Sequence, residues 1–348
     1  MCGILGQIER SNEVNETQFH SMLNTLAHRG PDGEGMWFSS DKKIAFGHRR
    51  LSFFDLSELG KQPMVSTEKE VVITFNGEIY NFKTLKASLT DYDFQTQTDS
   101  EVILAAYLKW GISFVEHLDG MFAIALYDCV ADKVFLIRDR LGVKPMYYYV
   151  NEHHQLSFAS EIRTIMKGQN TAFQINENAL GDFLTFHTVT SHETLVNGIK
   201  SLQAGTYLEI QGDKITQHTY WSINKQNNNT DTYEKAVERV KDLFFKAVDK
   251  RLMADVPLGA FLSGGIDSKG KSKNIRLVRK TGSEFKIYHI DMSKPEGIST
   301  GQMIVEANDI IYVDQVKGFT RNVSSDFSTL VGLIVSVLFM IDLVTKNF

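Results

Sequence analysis

Met1-Cys2-Gly3-Ile4 opens the chain, and Cys2 decides how the rest is read. Removal of the initiator methionine would make Cys2 a terminus carrying both a thiol and a free α-amine. The amine has an ordinary pKa of about 7.7–8.0 and the thiol about 8.5, so near neutral pH the amine takes the thiol proton with little mismatch. Nucleophile and base then share one residue, and no separate catalytic histidine is needed. Taken alone, a cysteine at position 2 is better read as an accident of composition, because single-residue motifs are weak. The clusters downstream change that.

Four of them follow: His28-Arg29-Gly30-Pro31-Asp32, Arg49-Arg50-Leu51-Ser52, Asn76-Gly77-Glu78-Ile79-Tyr80-Asn81 and Thr98-Asp99-Ser100-Glu101. In order and spacing they resemble the glutaminase domain of class II amidotransferases. The later run Arg138-Asp139-Arg140-Leu141-Gly142-Val143-Lys144-Pro145 narrows the likeness to glutamine-hydrolysing asparagine synthetases, and the resemblance extends from Met1 to Ser268. It implies an α+β architecture, with a four-layer αββα N-terminal-nucleophile domain over residues 1–212. It also implies that Cys2 attacks the side-chain amide of glutamine, forms a glutamyl thioester and releases ammonia, with its own amine as base.

The residue types suit those roles. Attack on an amide creates an oxyanion, for which the Asn76 side-chain amide and the Gly77 backbone N–H are candidate donors, each contributing ~3 kcal/mol in a dry site. Asn-Gly between apolar runs is otherwise a hairpin turn. Arg50 offers a planar fork for the α-carboxylate of free glutamine, and the resemblance places Leu51 and Ser52 beside it. Asp99 would hold the substrate ammonium, although Thr98 and Glu101 also read as a helix capping box with Asp99 in its first turn. Glu78 is a further substrate contact. Arg29 and Asp32 organise a loop and receive no catalytic role.

The bulk composition agrees with a folded enzyme. The chain has 348 residues, 43% hydrophobic and 23% charged, room for two or three domains. A net charge of −5 argues against a nucleic-acid partner. The two cysteines, Cys2 and Cys129, form no disulfide framework and have no metal-ligand spacing, so no metal site is expected and a reducing cytoplasm fits. No signal-peptide pattern opens the sequence.

Short apolar runs at Val71–Phe75, Met121–Tyr127 and Lys133–Ile137 predict strands, and the spacing within Val14–Ala27 and Glu101–Trp110 predicts helices, the second stopped by Gly111. After a polar linker, Asn224–Thr230, an amphipathic helix is predicted from Tyr233 to Leu252, with Val237, Val240, Leu243, Phe244 and Val248 on its apolar side. Val256–Leu262 then reads as a buried strand running into Ser263-Gly264-Gly265-Ile266-Asp267-Ser268. This turn resembles the pyrophosphate loop of ATP-dependent synthetases, and the resemblance makes Leu262, Ser263, Gly264, Gly265, Asp267 and Ser268 an ATP-binding set, with Asp267 placing Mg²⁺. Residues 213–268 would thus begin an α/β synthetase domain, with aspartate as the second substrate. Glutamine hydrolysis itself needs no cofactor. The overlapping pattern Gly265–Ser272, Gly-x-x-x-x-Gly-Lys-Ser, is the weaker explanation of the same loop.

Lys269-Gly270-Lys271-Ser272-Lys273 replaces the helix that the resemblance calls for, so transfer of ammonia to aspartate is expected to be impaired by truncation. Residues 269–348 read as short strands before one apolar helix, and from about Asn274 they resemble the C-terminal part of bacterial polysaccharide-export proteins. The apolar stretch Leu330–Val344 falls short of the roughly 20 residues a bilayer span needs. The leading expectation is a cytoplasmic glutamine-dependent amidotransferase. The alternatives are an envelope-associated fusion with an idle glutaminase fold, its 330–344 helix touching a membrane, and a misfolded product. Homo-oligomerisation is left open.

Overall fold

The computed structural model describes residues 2–52, 58–66, 70–169, 172–223 and 231–251, together with the backbone of 270–281, 284–290 and 310–315. The chain divides into two units, Met1–Val256 and Pro257–Phe348. The first contains strands β1 (Gly3–Ile8), β2 (Gly33–Phe38), β3 (Ile44–Arg50), β4 (Met64–Val65), β5 (Val71–Ile79), β6 (Gly120–Asp128), β7 (Lys133–Arg138), β8 (Tyr147–Val150), β9 (Leu156–Ala159), β10 (Lys200–Ser201), β11 (Thr206–Gln211) and β12 (Lys214–Thr219). Its helices are α1 (Glu16–Asn24), α2 (Phe82–Ser88), α3 (Asp99–Trp110), α4 (Phe114–His117), α5 (Ile162–Lys167), α6 (Glu177–Phe186) and α7 (Tyr233–Lys250).

The strands form two antiparallel six-stranded sheets, ordered β10-β8-β9-β1-β3-β2 and β12-β11-β7-β6-β5-β4. Alternation of side chains along each strand sorts the apolar residues into three cores. Ile4, Phe46, Val72, Ala123, Leu136 and Phe158 fill the gap between the sheets. Leu5, Ala45 and Ala159 turn the other way, against Phe19, Leu23 and Ile165 of α1 and α5. Ile73, Phe75, Ile124 and Phe135 meet Val102, Ile103, Ala106 and Phe114 of α3 and α4. The layers are therefore helix, sheet, sheet, helix. Phe46, Phe122 and Phe158 are fully buried, each burial stabilising by ~1.5–3 kcal/mol. Strand β1, central and covered on both faces, is buried throughout.

Local signals explain the helix ends. Asn15 accepts the Gln18 N–H at 2.9 Å and starts α1 two residues after the predicted Val14, which is buried beside it all the same. Gly111, at φ +57°, ends α3 where the sequence places a stop. The β11–β12 hairpin runs through the expected boundary at residue 212, so the sheet is complete only at Thr219.

Helix α7 forms as predicted, yet none of its residues is buried. Val240, Leu243 and Phe244 are 65%, 56% and 64% exposed. It is held at its C-terminal end, where the Lys250 ammonium lies 2.6 Å from the Asp119 carboxylate and the Arg251 guanidinium 4.8 Å over the Tyr80 ring. No helix among the described residues is long and apolar enough to cross a membrane.

In the second unit, β13 (Gly270–Thr281), β14 (Glu284–Ile290) and β15 (Ile310–Gln315) form an antiparallel sheet in the order β14-β13-β15. They agree with the short strands read from the sequence over this stretch, and β13 begins four residues before Asn274. The predicted linker Asn224–Thr230, the strand Val256–Leu262, the nucleotide-loop residues Leu262, Ser263, Gly264, Gly265, Asp267 and Ser268, and the apolar stretch Leu330–Val344 lie outside the described residues.

Candidate active site

Three strands change character along a single face. On β1 the side chains facing the second sheet are Ile8, Gly6 and Ile4, and the next position in that alternation is Cys2. On β3 they are Ile44, Phe46, His48 and Arg50; on β5 they are Val72, Thr74, Asn76 and Glu78. Each begins apolar in the inter-sheet core and ends polar at the same end of the sandwich. The result is a cavity of about 220 Å³ lined by Cys2, Arg50, Leu51, Asn76, Gly77, Glu78 and Asp99, which gathers the residues singled out from sequence for glutamine chemistry, Ser52 excepted.

The Cys2 sulfur lies 3.4 Å from the Leu51 N–H, which donates to it, and 3.6 Å from the Leu51 carbonyl. Burial pushes the thiol above its ordinary range; the Leu51 N–H opposes this, as does the charge of Lys144. Arg29 donates from Nε to the Cys2 carbonyl at 3.0 Å and pairs with Glu161 at 3.3 Å. Gly30 lets the loop that carries Arg29 lie against β3, since a Cβ there would sit 2.3 Å from the backbone of Arg49. Ser52 does not line the cavity; its N–H donates to Asp32 at 2.8 Å, fixing the turn that carries Leu51.

Asn76-Gly77 is no hairpin turn. Both residues lie inside β5, opposite Ala123 and Phe122 of β6. Asn76 is 1% exposed and its Nδ2 is a buried donor with no partner among the described residues. Gly77 is required by packing, because a Cβ would meet the Met121 carbonyl at 2.2 Å. Asp99, fully buried, accepts the Ile79 N–H at 3.1 Å. Burial pushes its carboxyl up to about 7, the Ile79 bond working against the shift and Glu78 adding to it. The capping box is half formed: Thr98 accepts the Glu101 N–H at 3.3 Å, but the Glu101 carboxylate turns to the N–H groups of Gln95 and Thr96 at 2.8 and 2.6 Å.

His48, Gln62 and Lys144 also line the cavity, and none of them has a site role in the reading from sequence. His48 was legible in principle, two residues before Arg50 on the same strand face. Burial lowers its imidazole to about 4, so it is neutral at physiological pH. Lys144 arrives by a loop wound around Asp139, whose carboxylate accepts the N–H groups of Phe122, Leu141, Val143 and Lys144 at 3.0–3.2 Å. Arg138 closes the loop through the Lys144 and Gly142 carbonyls at 2.9 and 2.8 Å. The Arg138–Pro145 motif is therefore a scaffold that presents one buried lysine. Among the described residues no His, Cys, Asp and Glu cluster could hold a metal.

Residues 1–221 match the family model described as glutamine amidotransferase domain. The chain belongs to that family. A second model, asparagine synthase, matches residues 239–286 of this amidotransferase and so continues past Ser268, where the resemblance in sequence stops. Asparagine synthetase [glutamine-hydrolyzing] 2 of Bacillus subtilis is 38% identical over 77% of this chain and 38% of its own length. Amidase chry2 of Gibberella zeae is 31% identical over 90% of this chain and 50% of its own, an alignment that also runs beyond residue 268. The chain spans about half or less of the length of these relatives. Among solved structures, the allosteric regulatory enzyme of purine biosynthesis shares the fold, with a TM-score of 0.50 and 17% identity over 64% of this chain and 50% of that one.

Proposed function

We propose that this amidotransferase hydrolyses the side-chain amide of glutamine to glutamate and ammonia at Cys2. The observation that carries the proposal is the buried, unpartnered Asn76 amide donor in the same cavity as the Cys2 thiol. An unsatisfied buried donor costs about 1–3 kcal/mol, and an oxyanion would supply its missing acceptor.

With Met1 removed, the α-amine takes the thiol proton as sulfur attacks the amide carbon. The requirement for a base follows from burial, which leaves little thiolate at neutral pH without one. The carbonyl oxygen becomes an oxyanion held by Asn76 Nδ2 and the Gly77 N–H. Collapse expels ammonia, with the proton returned from the amine, and leaves a thioester that water hydrolyses to glutamate. Arg50 takes the α-carboxylate, Asp99 and Glu78 the ammonium, and the Leu51 N–H steadies the sulfur.

Onward transfer of ammonia to aspartate, driven by ATP with Mg²⁺, is the reaction suggested by the relatives' names and by the match at residues 239–286. Glutamine hydrolysis at Cys2 does not depend on it. Purified protein is incubated with glutamine, with and without aspartate and ATP, and glutamate and asparagine are measured separately. Glutamate release is expected in every mixture and is lost in Cys2→Ala; asparagine formation decides the second claim. Full glutamate release by Cys2→Ala would refute the nucleophile.

A further inference from the structure

The donor edge of β5 is framed by side chains in place of a neighbouring strand. In an antiparallel strand alternate residues turn their N–H and C=O groups to opposite edges. Among the described residues, strand β4 pairs with β5 only at Val72 and Ile73, and no described strand lies beside that edge from Phe75 onward. Phe75, Gly77 and Ile79 are the rungs that turn to it. The Phe75 N–H donates to Gln62 Oε1 at 2.6 Å, and its carbonyl lies 3.2 Å from His48 Nε2. The Ile79 N–H donates to Asp99 Oδ2 at 3.1 Å. Gly77, the rung between them, faces the cavity.

From this frame we infer that Gln62 is a positioning residue for glutamine hydrolysis: it fixes the Phe75 peptide and thereby the Asn76 and Gly77 donors. The inference rests on the oxyanion role given to that pair above. Gln62 is buried, and while its oxygen accepts from Phe75 its Nε2 donates to Ser100 Oγ at 3.1 Å, in the first turn of α3 beside Asp99. One primary amide thus ties the β5 edge to the helix that ties it again four residues later. The amide accepts from one and donates to the other without bringing a charge into the buried site, and glutamine has the length to reach. Donors for an oxyanion act at full strength only when preset, and a misplacement of about 1 Å costs up to ~10²-fold in rate.

The test uses the full chain carrying Gln62→Met, which keeps the shape and loses both bonds. The kcat for glutamate release is expected to fall roughly ten- to a hundredfold, while the KM for glutamine stays within about threefold because Arg50 and Asp99 remain in place. Alkylation of Cys2 by iodoacetamide, a displacement at carbon that forms no oxyanion, is expected within about twofold of the unmodified protein. Gln62→Glu, which accepts from Phe75 and from the Ser100 hydroxyl, recovers part of the lost kcat. A Gln62→Met protein with undiminished kcat overturns the inference. So does one in which kcat, glutamine affinity and alkylation decline together, since that is collapse of the whole cavity. Glutamate release that survives complete alkylation of Cys2 in the unmodified protein would instead remove the thiol mechanism beneath it.

Discussion

At the scale of single residues, the cavity places two groups far from their solution behaviour. Asp99 has a carboxyl raised to about 7 by burial, against about 3.9 in an unfolded chain. A raised folded value means the folded protein holds its proton more tightly, so this group's contribution to stability is complete below the unfolded value and is lost as pH rises through about 7. Thermal melts without glutamine should therefore show a decline between pH 4 and pH 8 that is shallower in Asp99→Asn, whose amide oxygen still accepts from Ile79. Binding an ammonium needs the carboxylate, so the KM for glutamine should fall as pH rises from 6 to 8 and flatten above; a KM that climbs across this range contradicts the assignment of Asp99. Asn76→Ala should lower kcat by about 10²–10³ with a smaller change in KM, measured as glutamate release. An Asn76→Ala enzyme of normal kcat would leave the orphaned donor without a purpose.

At the scale of elements, the Asp139 loop is held by four backbone N–H groups on one carboxylate. Asp139→Ala leaves four backbone N–H groups without their acceptor, so a loss of about 3 kcal/mol or more is expected, read as a lower midpoint in urea unfolding. What the sequence made legible at this scale follows from distance along the chain. Strands β5, β6 and β7, helix α3 with its Gly111 stop, and helix α7 announce themselves through local periodicity and punctuation. Cys2, Arg50, Asn76, Gly77, Glu78 and Asp99 announce themselves through chemistry at recognisable spacing, and they meet in one cavity. Gln62 carries no such mark: the role inferred for it depends on a β5 edge without a described strand beside it and on Ser100, 38 residues away. Lys144 was visible only as part of a motif whose other residues build the turn that presents it. The capping box at Thr98 misled because Glu101 had better partners in the preceding loop than the cap itself.

At the scale of the whole molecule, the two units differ in how fully they can be tied to a task. The first is a closed four-layer sandwich with its chemistry at one end. Helix α7 has an apolar side in the open, and from Arg239 onward it is itself part of the stretch that matches asparagine synthase. Because Leu243 is 56% exposed, Leu243→Asp should shift thermal stability by no more than about 0.5 kcal/mol. A large drop in the melting temperature would show that this side is covered in solution. The position of Cys2 has a practical bearing as well. It immediately precedes a strand buried along its entire length, and it lines the cavity. On the proposed mechanism, an affinity tag or reporter fused ahead of it would block the amine and crowd the cavity in one stroke, so handles for purification or imaging belong elsewhere on the chain.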